Sequence, residues 1–411
     1  MMDWVVEVNV LVFSLLTCLC LVPASSFIAN RVGLVDLPSA RKRHVSPTPL
    51  VGGVCVFSAF VAAVFFVPGA AISWSMIGWL SLVLAIGVVD DYVDISPKIR
   101  LLAHGMIVVG IASTEGLYVS NVGAITGGSE AQMGSYAVAV AFTVVGVLGA
   151  VNAVNMSDGV DGLLGLMLAL SLLAVLFLIS TTESSAISHF SRFELIAVFG
   201  ALLGFLVFNS RLFTKRALIF FGDAGSTTIG FLFVYVLINC TQGSTEVFSP
   251  VLTGWIVGLP LIDASAVIVS RTMNRQSPFG ADRTHLHHKL MDSGISVNHT
   301  VLILCGLHFG LILFAITVSR SGYQYSDALL FWGFIALVVF RVAIVSRRIN
   351  WLHVRSKDTV VDHRYPGSEE GLVSAQSGST KRTFRSTSRR SGHTASIKSS
   401  KKAVTSGNRS I

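Results

Sequence analysis

Apolar runs alternate with short polar clusters along most of this chain. A helix that crosses a bilayer needs ~20 mostly apolar residues, and about eleven segments approach that length. They lie at residues 5–29, 50–67, 74–89, 101–115, 135–151, 163–180, 194–210, 226–242, 251–270, 300–319 and 328–346. The pattern predicts an all-α fold: a polytopic integral membrane bundle of about eleven transmembrane helices. The first run lacks the form of a cleaved signal peptide, because Asp3 and Glu7 precede it and no Lys or Arg does. The alternation stops near Asn350, and the residues beyond are rich in Ser, Thr, Gly, Lys and Arg. Such a segment buries too little apolar surface to offset its ordering entropy. Two parts are therefore expected: a membrane domain over 1–350 and a basic, disordered tail over 351–411.

Composition sharpens this reading. The 411 residues are 52% hydrophobic and 13% charged, against roughly 25% charged in soluble domains. A soluble protein with a large core would need more charge between its apolar segments. The net charge of +8 belongs to the tail, where residues 355–411 hold 12 Lys/Arg against 4 Asp/Glu; the rest balances at 18 against 18. The basic balance thus gives no reason to expect nucleic-acid binding. The tail reads equally as a solvated appendage or as a contact with anionic lipid headgroups, at ~1 kcal/mol per basic residue near the surface. The five cysteines sit in or beside apolar runs without a CxxC pair, and read as small hydrophobes.

Charge also orients the chain. Alternate loops carry Arg31/Arg41/Lys42/Arg43, Lys98/Arg100, Arg211/Lys215/Arg216 and Arg271/Arg275/Arg283/Lys289, whereas the intervening loops hold only Arg192 and Arg320. The positive-inside rule puts the first set in the cytoplasm, the N-terminus in the periplasm and the C-terminus inside.

Four segments on that same side concentrate carboxylates, amides and imidazoles: Asp90-Asp91-Tyr92-Val93-Asp94, Asn152 to Gly162, Phe220 to Ser226, and Asp282 to His288. Each abuts an apolar span, where an ionised group is costly unless paired or liganded. On a helix Asp90 and Asp91 lie about 100° apart, with Asp94 returning beside both. Such a pair retains a proton or binds a cation, or simply ends the span opposite Lys98 and Arg100. Asn152, Asn155, Asp158 and Asp161 drift about 60° per step on a continuous helix, so their convergence requires a break near Ser157–Gly162. Their mixture of donors and acceptors suits a nucleobase; helix capping is the plainer alternative. Asp223, between glycines at the start of a span, suits a Mg²⁺ anchor. Phe220 and Phe221 offer stacking surfaces or ordinary packing. His285, His287 and His288, flanked by Arg283 and Lys289, suit phosphate oxygens better than zinc. Asp263 lies inside a span and calls for a cationic partner or a polar pathway.

These motifs, in this order, resemble the polyprenyl-phosphate N-acetylhexosamine-1-phosphate transferases, the WecA/MraY family. The resemblance covers roughly residues 30–300: Arg41-Lys-Arg-His44 with Pro49-Leu-Val-Gly-Gly53, Asp90-Asp91, Asn152 to Leu163, Gly222 to Ser226, and His285-x-His287-His288. The HxHH form is closer to the WecA-like branch. The resemblance implies catalytic roles for Asp90, Asp91 and Asp223, with Asp223 holding Mg²⁺, or Mn²⁺ in its place. It implies that Asn155, Asp158, Asp161 and Phe220 hold uridine. Arg283, His285, His287 and His288 would meet phosphate or sugar, and Lys42, Arg43 and His44 would line the same cleft. The implied partners are a UDP-N-acetylhexosamine, undecaprenyl phosphate and membrane lipids, with a homodimer as a further candidate. The implied location is the bacterial inner membrane, with the site on its cytoplasmic face.

The implied reaction moves a sugar-1-phosphate, by default that of N-acetylglucosamine, onto the lipid and releases UMP. It would initiate a lipid-linked glycan such as O-antigen. Alternatives are the same chemistry on a fucosamine, quinovosamine or muramyl-pentapeptide nucleotide. A secondary transporter is the rival from another class, although here the acids cluster at span ends and no internal repeat is visible. A non-catalytic scaffold would leave the acid clusters unexplained.

Overall fold

A computed structural model describes residues 3–37, 46–68, 74–182, 189–243, 246–277 and 283–360. The chain divides into two units, Met1–Ser356 and Lys357–Ile411. The first is the helical bundle below; of the second only residues 357–360 are described, as the end of a helix.

Every predicted span falls on a helix. In chain order these are α1 (Asp3–Val32), α2 (Gly52–Phe66), α3 (Trp74–Val93), α4 (Pro97–Glu115), α5 (Tyr136–Met156), α6 (Leu163–Ser180), α7 (His189–Asn209), α8 (Gly222–Thr241), α9 (Val251–Ile256), α10 (Gly258–Met273), α11 (Leu286–Asp292), α12 (Val297–Ser319) and α13 (Ser326–Val360). Among the described residues, eight helices are long and apolar enough to cross a membrane: α1, α3, α5, α6, α7, α8, α12 and α13. The chain is a polytopic helical membrane protein. The other three predicted spans differ for visible reasons. Helix α2 has 15 residues, α4 carries Lys98 and Arg100 in its first turn, and the ninth span is broken at Val257 into α9 and α10.

Pro260 accounts for that break. Proline has no N–H to return to the carbonyl four residues earlier, here that of Ile256. The freed carbonyl instead accepts a hydrogen bond from Ser171 Oγ of α6 at 2.7 Å, and Ser171 in turn meets His308 Nε2 of α12 at 2.9 Å.

Helix α8 is the axis of the bundle. Of its apolar span 89% is buried by neighbours, against 17% for α13. It packs on α2, α3 and α5, while α7 packs on α1, α2 and α6. Without a hydrophobic drive between helices in lipid, close backbone approach supplies the packing. The first turn of α8 has that approach on two sides: a Cβ on Gly53 of α2 would overlap the Gly225 backbone, and one on Gly87 of α3 would overlap Ala224.

A short antiparallel ribbon, β1 (Val35–Asp36) with β2 (Thr48–Pro49), was not anticipated from the sequence. It brings the start of α2 against the irregular segment before α8. Phe220 N–H donates to Pro49 O at 2.9 Å, and the N–H groups of Gly52 and Gly53 donate to Phe220 O and Phe221 O, each at 3.0 Å. At the opposite end of the bundle the α4–α5 connection is ordered by Gln242. Its Oε1 accepts from Ser120 N–H at 2.8 Å and Asn121 N–H at 3.2 Å, while its Nε2 donates to Asn121 O at 3.1 Å.

Two glycines of α3 make this packing testable. Gly87→Ala forces backbones apart and costs ~1–3 kcal/mol, whereas a methyl on Gly78 meets nothing within 4 Å. Thermal unfolding in detergent should show a lowered midpoint for Gly87→Ala and an unchanged or raised one for Gly78→Ala. Equal midpoints would contradict the close α3–α8 contact.

Candidate active site

The polar segments meet at the end of the bundle where α3, α5, α7 and α10 finish and α4, α6 and α8 begin. The centre is Asp223, in the first turn of α8. Its Oδ1 accepts from Asn155 Nδ2 at 2.8 Å, and its Oδ2 accepts from Arg100 Nη1 at 2.8 Å. The same Arg100 nitrogen makes a very close ion pair with Asp90 Oδ2. Asp90 is buried, and its other oxygen accepts from Ile95 N–H at 2.8 Å. One guanidinium therefore stands between carboxylates from two helices, with the Asp223 side chain still 36% exposed.

Asp91 has a different task. Helix α8 begins without a side-chain cap of its own, leaving its first N–H groups without intrahelical partners. Asp91 Oδ1 accepts from Asp223 N–H at 2.7 Å and Oδ2 from Ala224 N–H at 3.1 Å. A carboxylate from α3 thus caps α8 and meets the positive end of its dipole. Gly222 has φ +74°, and a Cβ there would strike the Asp91 carboxylate, so the cap requires glycine at this position.

The break expected in the Asn/Asp run is present. Helix α5 stops at Met156, Gly162 adopts φ +79°, and α6 starts at Leu163. Buried Asn209 holds the turn, accepting from Gly162 N–H at 2.9 Å and donating to Ile219 O at 2.9 Å. Across the turn the four residues diverge. Asn155 reaches Asp223, while Asn152 donates to Met156 Sδ at 3.7 Å. Asp158 is half-buried, and its carboxyl is pushed up to about 7, first by burial and then by the charges of Asp223, Asp91 and Asp161. Asp161 turns elsewhere: its Oδ2 accepts from Arg211 Nε at 2.7 Å and Ala217 N–H at 3.2 Å.

The histidines form a layer beside this turn. His287 Nε2 lies 2.8 Å from where a Cβ on Gly159 would sit. The His285 and His287 rings are parallel within 4° at 5.7 Å, and His288 is 4.2 Å from His287. His287 is buried, and burial followed by the adjacent imidazoles lowers it to about 3. It is neutral near pH 7, not part of a cationic row. Arg283 is also drawn away, donating to Asp292 Oδ1 at 2.5 Å on the surface. His285 is bound through Nδ1 to Asp263 Oδ2 at 2.9 Å, and Asp263 Oδ1 accepts from Arg341 of α13 at 2.7 and 3.1 Å. The in-span carboxylate is thus neutralised in place.

Phe220 is half-buried and contributes the backbone bonds above, whereas Phe221 is buried edge-on against Phe205 at 4.4 Å between ring centroids. Packing, not stacking, is the role of Phe221. Lys42, Arg43 and His44 lie outside the described residues. Two residues gain importance that the sequence reading did not give them. Arg100 counted there only as a topology charge opposing the acids, although the three-residue link between α3 and α4 returns it to Asp90. Arg341 is the other, and a lone arginine in an apolar run is itself a signal for a buried partner.

Asp90 and Asp223 are bridged by the cationic Arg100 guanidinium, and a metal ion held by both would need Arg100 to release them. Among the described residues no group of three or more His, Cys, Asp or Glu is arranged to hold an ion. Mg²⁺ needs no such cage, because it takes most of its ligands from water and phosphate.

Residues 73–241, which include Asp90, Asn155, Asp158 and Asp223, match the family model described as glycosyl transferase family 4. The chain is 33% identical over 281 residues to the undecaprenyl-phosphate alpha-N-acetylglucosaminyl 1-phosphate transferase of Escherichia coli strain K12, covering 67% of this chain and 74% of that protein. The proteins of the same name from Yersinia pestis and Haemophilus influenzae are 32% and 31% identical. The Haemophilus match spans 330 residues, 79% of this chain and 91% of its relative. With the polar cluster inside the matched region, the chain belongs to glycosyl transferase family 4 and is a polytopic membrane enzyme that transfers a sugar-1-phosphate.

Proposed function

We propose that this enzyme transfers N-acetylglucosamine-1-phosphate from UDP-N-acetylglucosamine to undecaprenyl phosphate, releasing UMP, at the cytoplasmic face of a bacterial inner membrane. The observation that carries the reading is the meeting of Asp90, Asp223, Asn155 and Arg100 at one end of the bundle. The printed activity of the relatives supports the substrates. The basic loops at that same end support the cytoplasmic face.

In the reaction, an oxygen of the lipid phosphate bonds to the sugar-bearing phosphorus and the bond to the UMP phosphate breaks. A phosphate monoester has a second pKa near ~6 and needs little help from a base at neutral pH. The main obstacle is the approach of two anions, so the protein's work is charge neutralisation and alignment. Asp223 and Asp90 would hold Mg²⁺ or Mn²⁺, which when bound neutralises the diphosphate and polarises its oxygens. Arg100 supplies a forked cation to phosphate oxygens. Asn155 orients Asp223, and Asp91 fixes the helix turn that carries it. Asp158 faces the nucleotide, with Phe220 beside α8. Asp161 supports this turn through Arg211 instead of touching the ligand. His285 and His288 meet sugar or phosphate, His287 packs behind them, and Lys42, Arg43 and His44 extend the phosphate-binding charge.

Purified protein in detergent should release UMP only when polyprenyl phosphate, a divalent cation and a UDP-sugar are all present, with UDP-N-acetylglucosamine the preferred donor in a panel. Preference for another UDP-sugar would revise the donor; release without the lipid would reject the reaction.

Three variants test the roles. Asp223→Ala should lower turnover at least about 100-fold, the loss of a metal-borne stabilisation of several kcal/mol; wild-type turnover with unchanged Mg²⁺ dependence would remove Asp223 from the metal site. Arg100→Met should lower kcat/KM about 10- to 100-fold, as expected for a hydrogen bond to charge, and an unchanged value would make Arg100 structural only. For Asp90→Asn, the kcat/KM profile should still rise with pH through ~6, because that limb belongs to the lipid phosphate. Disappearance of the limb would assign the proton to Asp90.

A further inference from the structure

Arg341 is among the buried charged groups that the proposed reaction does not use. Arg341 lies in the apolar run of α13 and is 6% exposed, yet it reaches across to α10 and to the segment before α11. Its Nε and Nη2 donate to Asp263 Oδ1 at 3.1 and 2.7 Å, and Nη2 also donates to Thr284 O at 3.1 Å. The other Asp263 oxygen takes Leu286 N–H at 3.1 Å and His285 Nδ1 at 2.9 Å. The residues on both sides of His285, as well as its ring, are therefore tied to one carboxylate–guanidinium pair.

The charge balance fixes the chemistry of that ring. Arg341 already neutralises Asp263, so the carboxylate does not need an imidazolium as its counter-ion. It does need a donor for its second oxygen, and neutral imidazole offers one N–H. With the proton on Nδ1, Nε2 is the acceptor, and Nε2 makes no hydrogen bond among the described residues. This bond pattern is how a carboxylate selects tautomer and ring orientation for a working histidine.

We propose that Asp263 and Arg341 are positioning residues for His285, holding Nδ1 as donor so that Nε2 is presented as an acceptor to a hydroxyl or amide N–H of the transferred sugar. The inference rests on His285 belonging to the substrate site, as argued under the proposed function. It assigns the ligand chemistry of this ring to the sugar, leaving the phosphates to Arg100 and the bound cation. It also explains why α13, beyond the family-matched residues, is attached to the site at all.

The test must separate positioning from simple stability. Breaking a buried pair leaves an uncompensated charge and is destabilising, while removing both partners is often tolerated. Asp263→Asn and Arg341→Met should each lower the unfolding midpoint in detergent, and the double variant should recover most of it. Turnover should not follow: the double variant should stay about 10- to 100-fold below wild type in kcat, as for lost orienting partners elsewhere. Asp263→Glu should regain part of the activity. If kcat recovers together with the midpoint in the double variant, the pair is structural and the proposal fails. Where the double variant does not fold, Arg341→Lys decides: it keeps the charge but not the fork, and wild-type kcat would overturn the proposal. His285→Ala is the reference. If it retains full activity, the placement of His285 in the substrate site is wrong; if it is inactive while the double variant is fully active, only the positioning role is lost.

Discussion

The first turn of α8 carries a carboxylate, Asp223, that stays partly open while its backbone N–H groups stay satisfied inside a membrane protein. Asp91 resolves both demands from a neighbouring helix. Its two oxygens take the N–H groups of Asp223 and Ala224, so the Asp223 side chain is not drawn into capping its own helix. That bond is possible only because Gly87 lets α3 lie on the α8 backbone and Gly222 leaves room for the carboxylate. Two adjacent aspartates thus divide the work: Asp91 fixes the helix, and Asp90 faces the charge in the cleft.

The electrostatics follow from that geometry. Asp90, Asp91, Asp158 and Asp223 crowd one end of the bundle, and their mutual repulsion must be met by cations, helix dipoles or protons. Each remedy is visible. Arg100 answers Asp90 and Asp223, the α8 dipole answers Asp91, and Asp158, crowded by the charges of Asp223, Asp91 and Asp161, is pushed toward retaining its proton. Under the proposed function, these gathered acids would receive a divalent ion arriving with the phosphates, and Arg100 would turn from the carboxylates to the incoming anion.

Much of this was legible in the sequence because it depends on local period and composition. The spans follow from apolar length, and the break after Met156 follows from the mismatch between a three-residue polar spacing and 3.6 residues per turn. What the sequence does not fix is direction across a turn. Asp158 and Asp161 look equivalent as text, yet three residues of non-helical backbone send Asp161 to Arg211. His287 likewise looks like one of three exposed imidazoles, but the approach of Gly159 buries it. The pairing of Asp263 with Arg341 crosses 78 residues, so no window of the chain contains it. It was still recoverable in principle, since two opposite charges inside apolar spans invite a match.

That pair also bears on why the bundle extends past its catalytic half. A buried ion pair is poor value as a source of stability, since desolvation offsets most of its attraction. Its persistence is better understood through what else it holds. Asp263 binds the ring of His285 and the backbone of Leu286, and Arg341 binds the carbonyl of Thr284. Three consecutive residues are thereby tied to the two helices α10 and α13. The histidine layer then inherits the rigidity of α10 and α13 while lying beside the Asp158 turn. The same logic joins both regions: Asp91 ties the backbone that carries Asp223 to α3, and Asp263 ties the ring of His285 and the backbone of Leu286 to α10.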